Sequence, residues 1–207
     1  RPQPVIVPGQ RQTVCSNVAS SLEIVLLPAN TPAGSTFSWP LPVMSDGSTQ
    51  GTAGANVAAD PAGTAHIIDT FENYGADFIT ATYTITPYSS FGCPGTPVEV
   101  IITINPEPAA PVIAGDDMLC TNQTNIIYTV PLTPGSYYAW DVPASVGTKV
   151  FDANSNAIII NAAAAAGSGT ITVTETNSFG CAGPAGSFDV DVMAPSPQAD
   201  ITGDDIV

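Results

Sequence analysis

The chain is poor in basic residues. Three lysine and arginine residues stand against 18 aspartate and glutamate residues in a chain of 207, and the net charge at pH 7 is −15. Binding to nucleic acid or to anionic lipid headgroups depends on clusters of lysine and arginine. The composition therefore argues strongly against nucleic acid and membrane surfaces as partners.

The sequence also lacks long apolar runs. Apolar runs such as residues 158–160 and the five alanines at 162–166 fall far short of the roughly 20 residues of a membrane-spanning helix. The 20 prolines and 18 glycines are spread along the chain and break it into segments too short for long helices. We therefore expect an all-β protein with no membrane insertion and no remaining signal peptide.

Groups suited to catalysis are scarce. The chain has one histidine, His66, and one lysine, Lys149. No serine or cysteine nucleophile motif accompanies His66, and no second ligand stands at the spacing of a zinc site. A glycosidase would need two carboxylates held across a cleft, and the sequence offers no such pairing. We interpret His66 as a loop or core-edge residue of a chain that is not an enzyme.

The two halves of the chain repeat the same features in the same order. Each half has a cysteine, an aromatic-x-Trp segment, a strand that alternates with threonine, a Ser-Phe-Gly-Cys turn and a closing strand. The distance from tryptophan to the second cysteine is longer in the first half, which predicts an insertion at residues 45–77. The match predicts one domain over residues 1–106 and a second over 107–194.

Residues 195–207 are predicted to be a linker and the start of a third repeat, because residues 201–207 resemble residues 113–119, which precede Cys120. We therefore expect the chain to be cut from a longer array. The junctions around Pro106 and Pro195 alternate proline with other residues, which makes a linker stiff and extended.

Apolar and polar residues alternate with a period of two in the later segments of each repeat. Val98, Val100, Ile102 and Ile104 are expected to face inward, as in an antiparallel sheet with one buried face. Seven or eight such strands in each repeat are typical of an immunoglobulin-like β-sandwich. The predicted fold is thus all-β, with two tandem immunoglobulin-like β-sandwich domains.

The four cysteines occupy corresponding places in the two repeats and form no CxxC or Cys/His cluster. This pattern predicts one disulfide in each domain, Cys15 to Cys93 and Cys120 to Cys181. Each bridge would join the opening strand to the turn before the closing strand. Disulfides also imply an oxidising compartment outside the cytoplasm.

Two aromatic pairs stand at matching positions, Phe37 with Trp39 and Tyr138 with Trp140. Their spacing puts both members of each pair on one face of a strand, so we assign all four to the core. Tyr137 alone points outward from its strand. One exposed ring gives little support to a carbohydrate-stacking platform.

Two adjacent acidic residues, Asp116 and Asp117, follow the first proline-rich junction, and Asp204 with Asp205 follow the second. Carboxylate oxygens are the ligands of Ca²⁺, so the pair at Asp116 is a candidate calcium site. The alternative, a solvated turn, is favoured, and we expect no other cofactor.

The order of cysteine, aromatic-x-Trp, threonine-alternating strand, Phe-Gly-Cys turn and proline linker resembles the PKD-like domains that are arrayed in very large surface proteins of Bacteroidota. The resemblance covers essentially the whole chain. It implies an immunoglobulin-like sandwich, export to the cell surface, often through the type IX secretion system, and a role as a stalk or adhesin.

These observations favour a non-enzymatic extracellular spacer in an adhesin or gliding-motility filament, whose partners are the neighbouring repeats of the same polypeptide. The alternative is a carbohydrate- or protein-binding module of a secreted enzyme, with a surface glycan or protein as its ligand. Polysaccharide binding would favour the module, and an extended rod without binding would favour the spacer.

Overall fold

The computed structural model describes residues 3–25, 33–151 and 154–195. Every regular element in these ranges is a β-strand, which confirms the predicted all-β fold. The described part of the chain contains no helix long and apolar enough to cross a membrane. The chain divides into two compact units, Arg1–Glu107 and Pro108–Val207. Residues 196–207, where the start of a third repeat is predicted, lie outside the described ranges.

The first unit contains eight described strands in two sheets. The strands are β1 (Arg11–Cys15), β2 (Leu22–Val25), β3 (Thr36–Trp39), β4 (Val43–Met44), β5 (Gly54–Ala58), β6 (Thr64–Ile67), β7 (Ile79–Tyr88) and β8 (Val98–Asn105). One sheet has the order β1-β8-β7-β3-β5, with β4 also paired to β7, and the other pairs β2 with β6.

The second unit has seven described strands, again in two sheets. The strands are β9 (Met118–Cys120), β10 (Ile126–Thr129), β11 (Tyr137–Asp141), β12 (Gly147–Phe151), β13 (Ala157–Ala162), β14 (Gly167–Thr176) and β15 (Gly186–Met193). The two sheets have the orders β11-β14-β15-β9 and β10-β13-β12.

The core of each unit is formed by apolar residues that alternate with more exposed residues along the long strands. Val100, Ile102 and Ile104 of β8 are fully buried, and the residues between them are half-buried. In β15, Val190 and Val192 are buried while Asp189 and Asp191 are exposed. The period of two predicted for these closing strands is confirmed, and each unit has a separate hydrophobic cluster.

The region at residues 45–77 holds β5 and β6 together with two long connections. Gln50 ties these connections to each other: its amide nitrogen donates to the carbonyl of Glu72 at 2.9 Å, and its amide oxygen accepts from the Glu72 N–H at 2.7 Å. A polar side chain thus orders a segment that has few strand hydrogen bonds.

The first and last strands of each unit run parallel to each other. In the first unit β1 pairs with β8, and Cys15 lies opposite Asn105. In the second unit β9 pairs with β15, and Cys120 lies opposite Met193. The other strand pairs are antiparallel. In each unit the single parallel pair therefore determines at which end of the sheet the chain enters and at which end it leaves.

A glycine next to a buried tyrosine tests the packing of the second core. A Cβ added to Gly115 would clash with the ring of Tyr128, which is fully buried and packs edge-on against Phe188 at a centroid distance of 5.9 Å. We expect Gly115→Ala to cost about 1–3 kcal/mol of stability through overpacking, measured by chemical denaturation.

The matched control is Gly167→Ala, whose added Cβ would meet its nearest atom, the carbonyl oxygen of Ser145, at an ordinary 3.4 Å. Equal destabilisation by the two substitutions would contradict the described packing around Tyr128.

Candidate functional site

The two cysteines of the first unit lie at opposite ends of its main sheet. Cys15 ends β1 beside Asn105, the last residue of β8. Cys93 lies in the turn between β7 and β8, where Tyr88 bridges to Pro94. At about 3.3 Å per residue, the eight residues of β8 separate its ends by about 23 Å. We call the Cys15 side the exit end and the Cys93 side the entry end.

The second unit has the same arrangement. Cys120 ends β9 beside Met193, the last residue of β15. Cys181 lies in the turn that follows β14, next to the bridge between Thr176 and Ala182. Cys120 is therefore at the exit end of its unit and Cys181 at the entry end, again with the whole closing strand between them.

The intradomain disulfides predicted from the sequence are wrong. Cys93 and Cys120 carry exposed free thiols, so neither Cys15 to Cys93 nor Cys120 to Cys181 is formed. The physical reason is the parallel pairing: a disulfide requires Cα atoms within about 7 Å, and an eight-residue strand separates the two cysteines of each unit. Cys15 and Cys181 are disulfide-bonded.

The turn that presents the second cysteine is built identically in both units. The N–H of Ser89 donates to the carbonyl of Cys93 at 2.9 Å, and the N–H of Asn177 donates to the carbonyl of Cys181 at 3.0 Å. The glycine before each cysteine has a left-handed backbone, with φ of 76° at Gly92 and 81° at Gly180, which glycine adopts without steric cost.

The side chain that opens each turn also fixes the position of its cysteine. Ser89 Oγ accepts from the Cys93 N–H at 3.2 Å, and Asn177 Oδ1 accepts from the Cys181 N–H at 3.1 Å. The structure thus holds both entry-end cysteines in one defined local geometry.

The chain enters each unit beside this turn. A Cβ on Gly95 would collide with the carbonyl oxygen of Pro4 in the first unit. In the second unit, a Cβ on Gly183 would collide with the carbonyl oxygen of Pro108. The absence of a side chain at these two glycines therefore lets the entering segment lie directly against the turn.

The four aromatic residues assigned to the core are buried. Trp39 and Trp140 are 7% and 5% exposed, and Phe37 and Tyr138 are fully buried. Trp39 Nε1 donates to the carbonyl of Thr52 at 3.1 Å, and Trp140 Nε1 donates to the carbonyl of Ser155 at 2.9 Å. Their polar atoms are satisfied inside the domains, so these rings offer no platform to a ligand, whereas Tyr137 is 53% exposed.

A buried carboxylate, Asp69, was not singled out by the sequence analysis. It accepts hydrogen bonds from the hydroxyl of Tyr83 and from Thr52, whose Oγ1 lies at 2.8 Å and whose N–H lies at 3.2 Å. Burial and the Asp69 carboxylate raise the pKa of Tyr83. Asp69 follows two isoleucines in the segment at residues 45–77, and nothing in the neighbouring sequence marks it as buried. Its hydrogen bond to Tyr83 anchors this segment to β7.

Asp116 and Asp117 lie on an exposed turn before β9. The carbonyl of Asp116 accepts from the Tyr128 hydroxyl at 2.7 Å, and the carbonyl of Asp117 accepts from the Asp191 N–H at 2.8 Å. Among the described residues, no three histidine, cysteine, aspartate or glutamate side chains are grouped to hold a metal ion. Calcium binding at Asp116 and Asp117 stays a prediction, and Asp204 with Asp205 lie outside the described residues.

A shallow groove of about 410 Å³ borders β1 and β2 in the first unit. Of the residues that line it, Arg11 and Glu23 are the charged ones. One carboxylate does not supply the pair that glycoside hydrolysis needs. His66 is exposed on the neighbouring strand β6, opposite Glu23 in the register.

The acidic pair also affects how stability depends on pH. Burial, with the negative charges of Asp116 and Asp117, raises the pKa of Tyr128 from 10.0 to about 12. Above pH 10 the unfolded chain therefore loses this proton before the folded chain does. The stabilising contribution is complete below pH 10 and is lost as the pH rises toward 12.

We expect Tyr128→Phe to flatten the fall in unfolding free energy between pH 10 and 12, measured by urea denaturation across that interval. The slope is compared rather than the absolute stability, because the variant also loses the hydrogen bond to Asp116. Tyr137→Phe, at an exposed tyrosine of the same unit, is the control and keeps the wild-type slope. An unchanged slope in Tyr128→Phe would contradict the assignment.

Two tandem β-sandwich units, each closed by a parallel first and last strand, define the class of this chain as a modular all-β protein. Residues 12–108 match the model of a PKD-like domain, and residues 106–190 match the model of a second PKD-like domain. The chain therefore carries two tandem PKD-like domains, which is the family that the sequence resembles.

Several solved structures align over most of the chain at low identity. The SGBP-B protein of a mixed-linkage glucan utilization locus in Bacteroides ovatus, in complex with a mixed-linkage heptasaccharide, is 14% identical, with 93% of this chain and 48% of that chain covered and a TM-score of 0.28. The chain thus spans about half the length of that protein.

The FN1-FN3 domains of chicken CNTN1 are 15% identical, with 92% of this chain and 66% of that chain covered and a TM-score of 0.41. Fibronectin(III)-like modules of Clostridium thermocellum CbhA are 13% identical, with coverages of 98% and 100% and a TM-score of 0.33. No curated protein matches the chain.

Proposed function

We propose that the chain is a non-enzymatic extracellular spacer, formed by two repeats of the stalk of a large bacterial surface protein such as an adhesin or a gliding-motility filament. The observation that carries the proposal is that the chain enters each domain at one end and leaves it at the other. Each repeat then adds at least the length of its closing strand, about 23 Å, to the reach of the protein.

The same arrangement suits a domain that transmits force. When the disulfide at Cys15 is reduced, tension on the two ends of the first domain pulls β1 and β8 in opposite directions along their common axis, because the strands are parallel and the ends emerge at opposite ends of the sheet. Their hydrogen bonds are then loaded together rather than opened one after another. The contact extends over five residue pairs in the first domain and three in the second.

The residues that line the groove of the first domain, and the burial of both tryptophans, support a role other than catalysis. The groove beside β1 has one carboxylate in its lining, and the tryptophans that could stack on a sugar are buried with their N–H groups bonded to backbone carbonyls. The family supports the same role, because two PKD-like domains follow one another in the chain.

Disulfide-bonded Cys15 and Cys181 support placement outside the cytoplasm, since disulfides persist in oxidising compartments. The net charge of −15 supports a surface role as well, because like charges on neighbouring repeats oppose aggregation of closely packed stalks.

Pulling experiments on the whole chain, carried out in a reductant that opens the disulfide at Cys15, test the spacer proposal. The Ser16 N–H donates to the carbonyl of Asn105 at 2.8 Å, and alternation along β1 points the N–H of Gln12 toward β8 as well. Gln12→Pro removes that N–H. We expect it to lower the unfolding force of the first domain in force spectroscopy and to leave that of the second domain unchanged.

Gln12→Ala is the matched control, because it loses the same side chain and its hydrogen bond to the Ser21 N–H but keeps the backbone donor. We expect its unfolding force to stay close to that of the wild type. A wild-type first domain that unfolds at forces near zero, or equal unfolding forces in Gln12→Pro and the wild type, would overturn the proposal that β1 carries tension.

A further inference from the structure

We propose that Cys93 and Cys120 are attachment points for disulfides between PKD-like domains: Cys120 bonds to the entry-end cysteine of another such domain, and Cys93 bonds to the exit-end cysteine of another. The inference extends the proposed spacer function, because it names the covalent partner of a repeat. It rests on that function for its biological setting. The chemistry itself depends only on the positions and states of the four cysteines.

Both thiols are accessible and neither has a partner within reach in its own domain. Cys93 and Cys120 are exposed. The other cysteine of each domain lies at the far end of an eight-residue closing strand, about 23 Å away. A bond to Cys93 or Cys120 must therefore come from outside the domain that carries it.

The corresponding cysteines of the other repeat point to what that partner is. Cys15 occupies in the first domain the place of Cys120, at the end of the first strand and opposite the last residue of the closing strand. Cys181 occupies in the second domain the place of Cys93, in the same hydrogen-bonded turn. Cys15 and Cys181 are both disulfide-bonded, so both kinds of position are suited to a disulfide.

The two free thiols lie at unlike ends. Cys93 lies at the entry end of the first domain, and Cys120 lies at the exit end of the second. The two bonded cysteines are also one of each kind, Cys15 at an exit end and Cys181 at an entry end. We therefore expect an entry-end thiol to pair with an exit-end thiol, in preference to pairing with its own kind. A contact between two unlike ends is head-to-tail and repeats without closing.

The oxidant is a disulfide, either a protein disulfide in the cell or glutathione disulfide in the test tube. The Cys120 thiolate attacks one sulfur of glutathione disulfide, forms a mixed disulfide and releases one glutathione. The Cys93 thiolate of a second molecule then attacks the Cys120 sulfur and releases the second glutathione. Two protein thiols are oxidised, one glutathione disulfide is reduced, and the two protons pass to the glutathione thiols.

The test uses two full-length variants, Cys93→Ser and Cys120→Ser, each of which keeps one of the two free thiols. They are incubated separately and mixed in a glutathione redox buffer, at about millimolar protein to approach the effective concentration of tethered domains. We expect disulfide-linked dimers in the mixture on non-reducing gels, with the dimer lost in either variant alone. Peptide mapping of the dimer then finds Cys120 of one molecule joined to Cys93 of the other.

Wild-type chain under the same conditions is expected to form a ladder of multimers, and the double variant is expected to stay monomeric. Unchanged circular dichroism and melting temperature establish that the exposed substitutions leave the fold intact. Dimers that form equally well in each variant alone, or a mixture that stays monomeric, would overturn the inference. Either outcome leaves the spacer proposal untouched, because both variants keep the β1 to β8 contact on which the pulling experiment depends.

Discussion

The parallel contact between the first and last strands of each domain is the constraint on which the rest of the structure depends. An opening strand that ran antiparallel to the closing strand would bring the chain entry beside the chain exit. Because β1 runs parallel to β8, and β9 to β15, entry and exit lie at opposite ends of each domain. The directional character of the domain, its suitability to carry load and the positions of its cysteines all follow from this pairing.

The core of each domain stabilises that geometry in two ways. Apolar side chains alternate along the strands and pack inside, and the hydroxyl groups of the buried tyrosines have hydrogen-bond partners. Tyr138 accepts from the Thr133 N–H at 2.8 Å and donates to the Pro131 carbonyl at 3.1 Å, while Tyr83 donates to Asp69. Buried polar atoms without partners are costly, so these bonds fix the loops that surround each sheet. These buried aromatic residues therefore stabilise the domains. The proposed function depends instead on the residues at the two ends of each domain.

Much of the fold could be predicted from the sequence, because a period of two in apolar residues determines which face of a strand is buried. This held for β8 and β15 and placed Trp39 and Trp140 on inward faces. The cysteine pairing could not be predicted in the same way. The apolar period of a strand is the same whether it pairs with its neighbour in parallel or antiparallel. The sequence therefore does not show at which end of the closing strand Cys15 lies.

The Asp69 cluster escaped prediction for a related reason. Its partners, Thr52 and Tyr83, come from separate segments of the chain, and their contact with Asp69 depends on how residues 45–77 fold over β7. The internal repeat gives one indication of the cysteine positions, since Ser-Phe-Gly-Cys recurs in both halves. It indicates that Cys93 and Cys181 occupy equivalent positions, without indicating their partners.

Mapping the disulfides of the non-reduced chain by mass spectrometry tests the central claim most directly, because the strand direction decides which cysteines can meet. Free thiols are alkylated first, and the chain is then digested without reduction. Opposite placement of the cysteines in each domain predicts alkylated Cys93 and Cys120 and no peptide that joins Cys15 to Cys93 or Cys120 to Cys181. Recovery of either intradomain peptide from the folded chain would contradict the parallel closure of that domain.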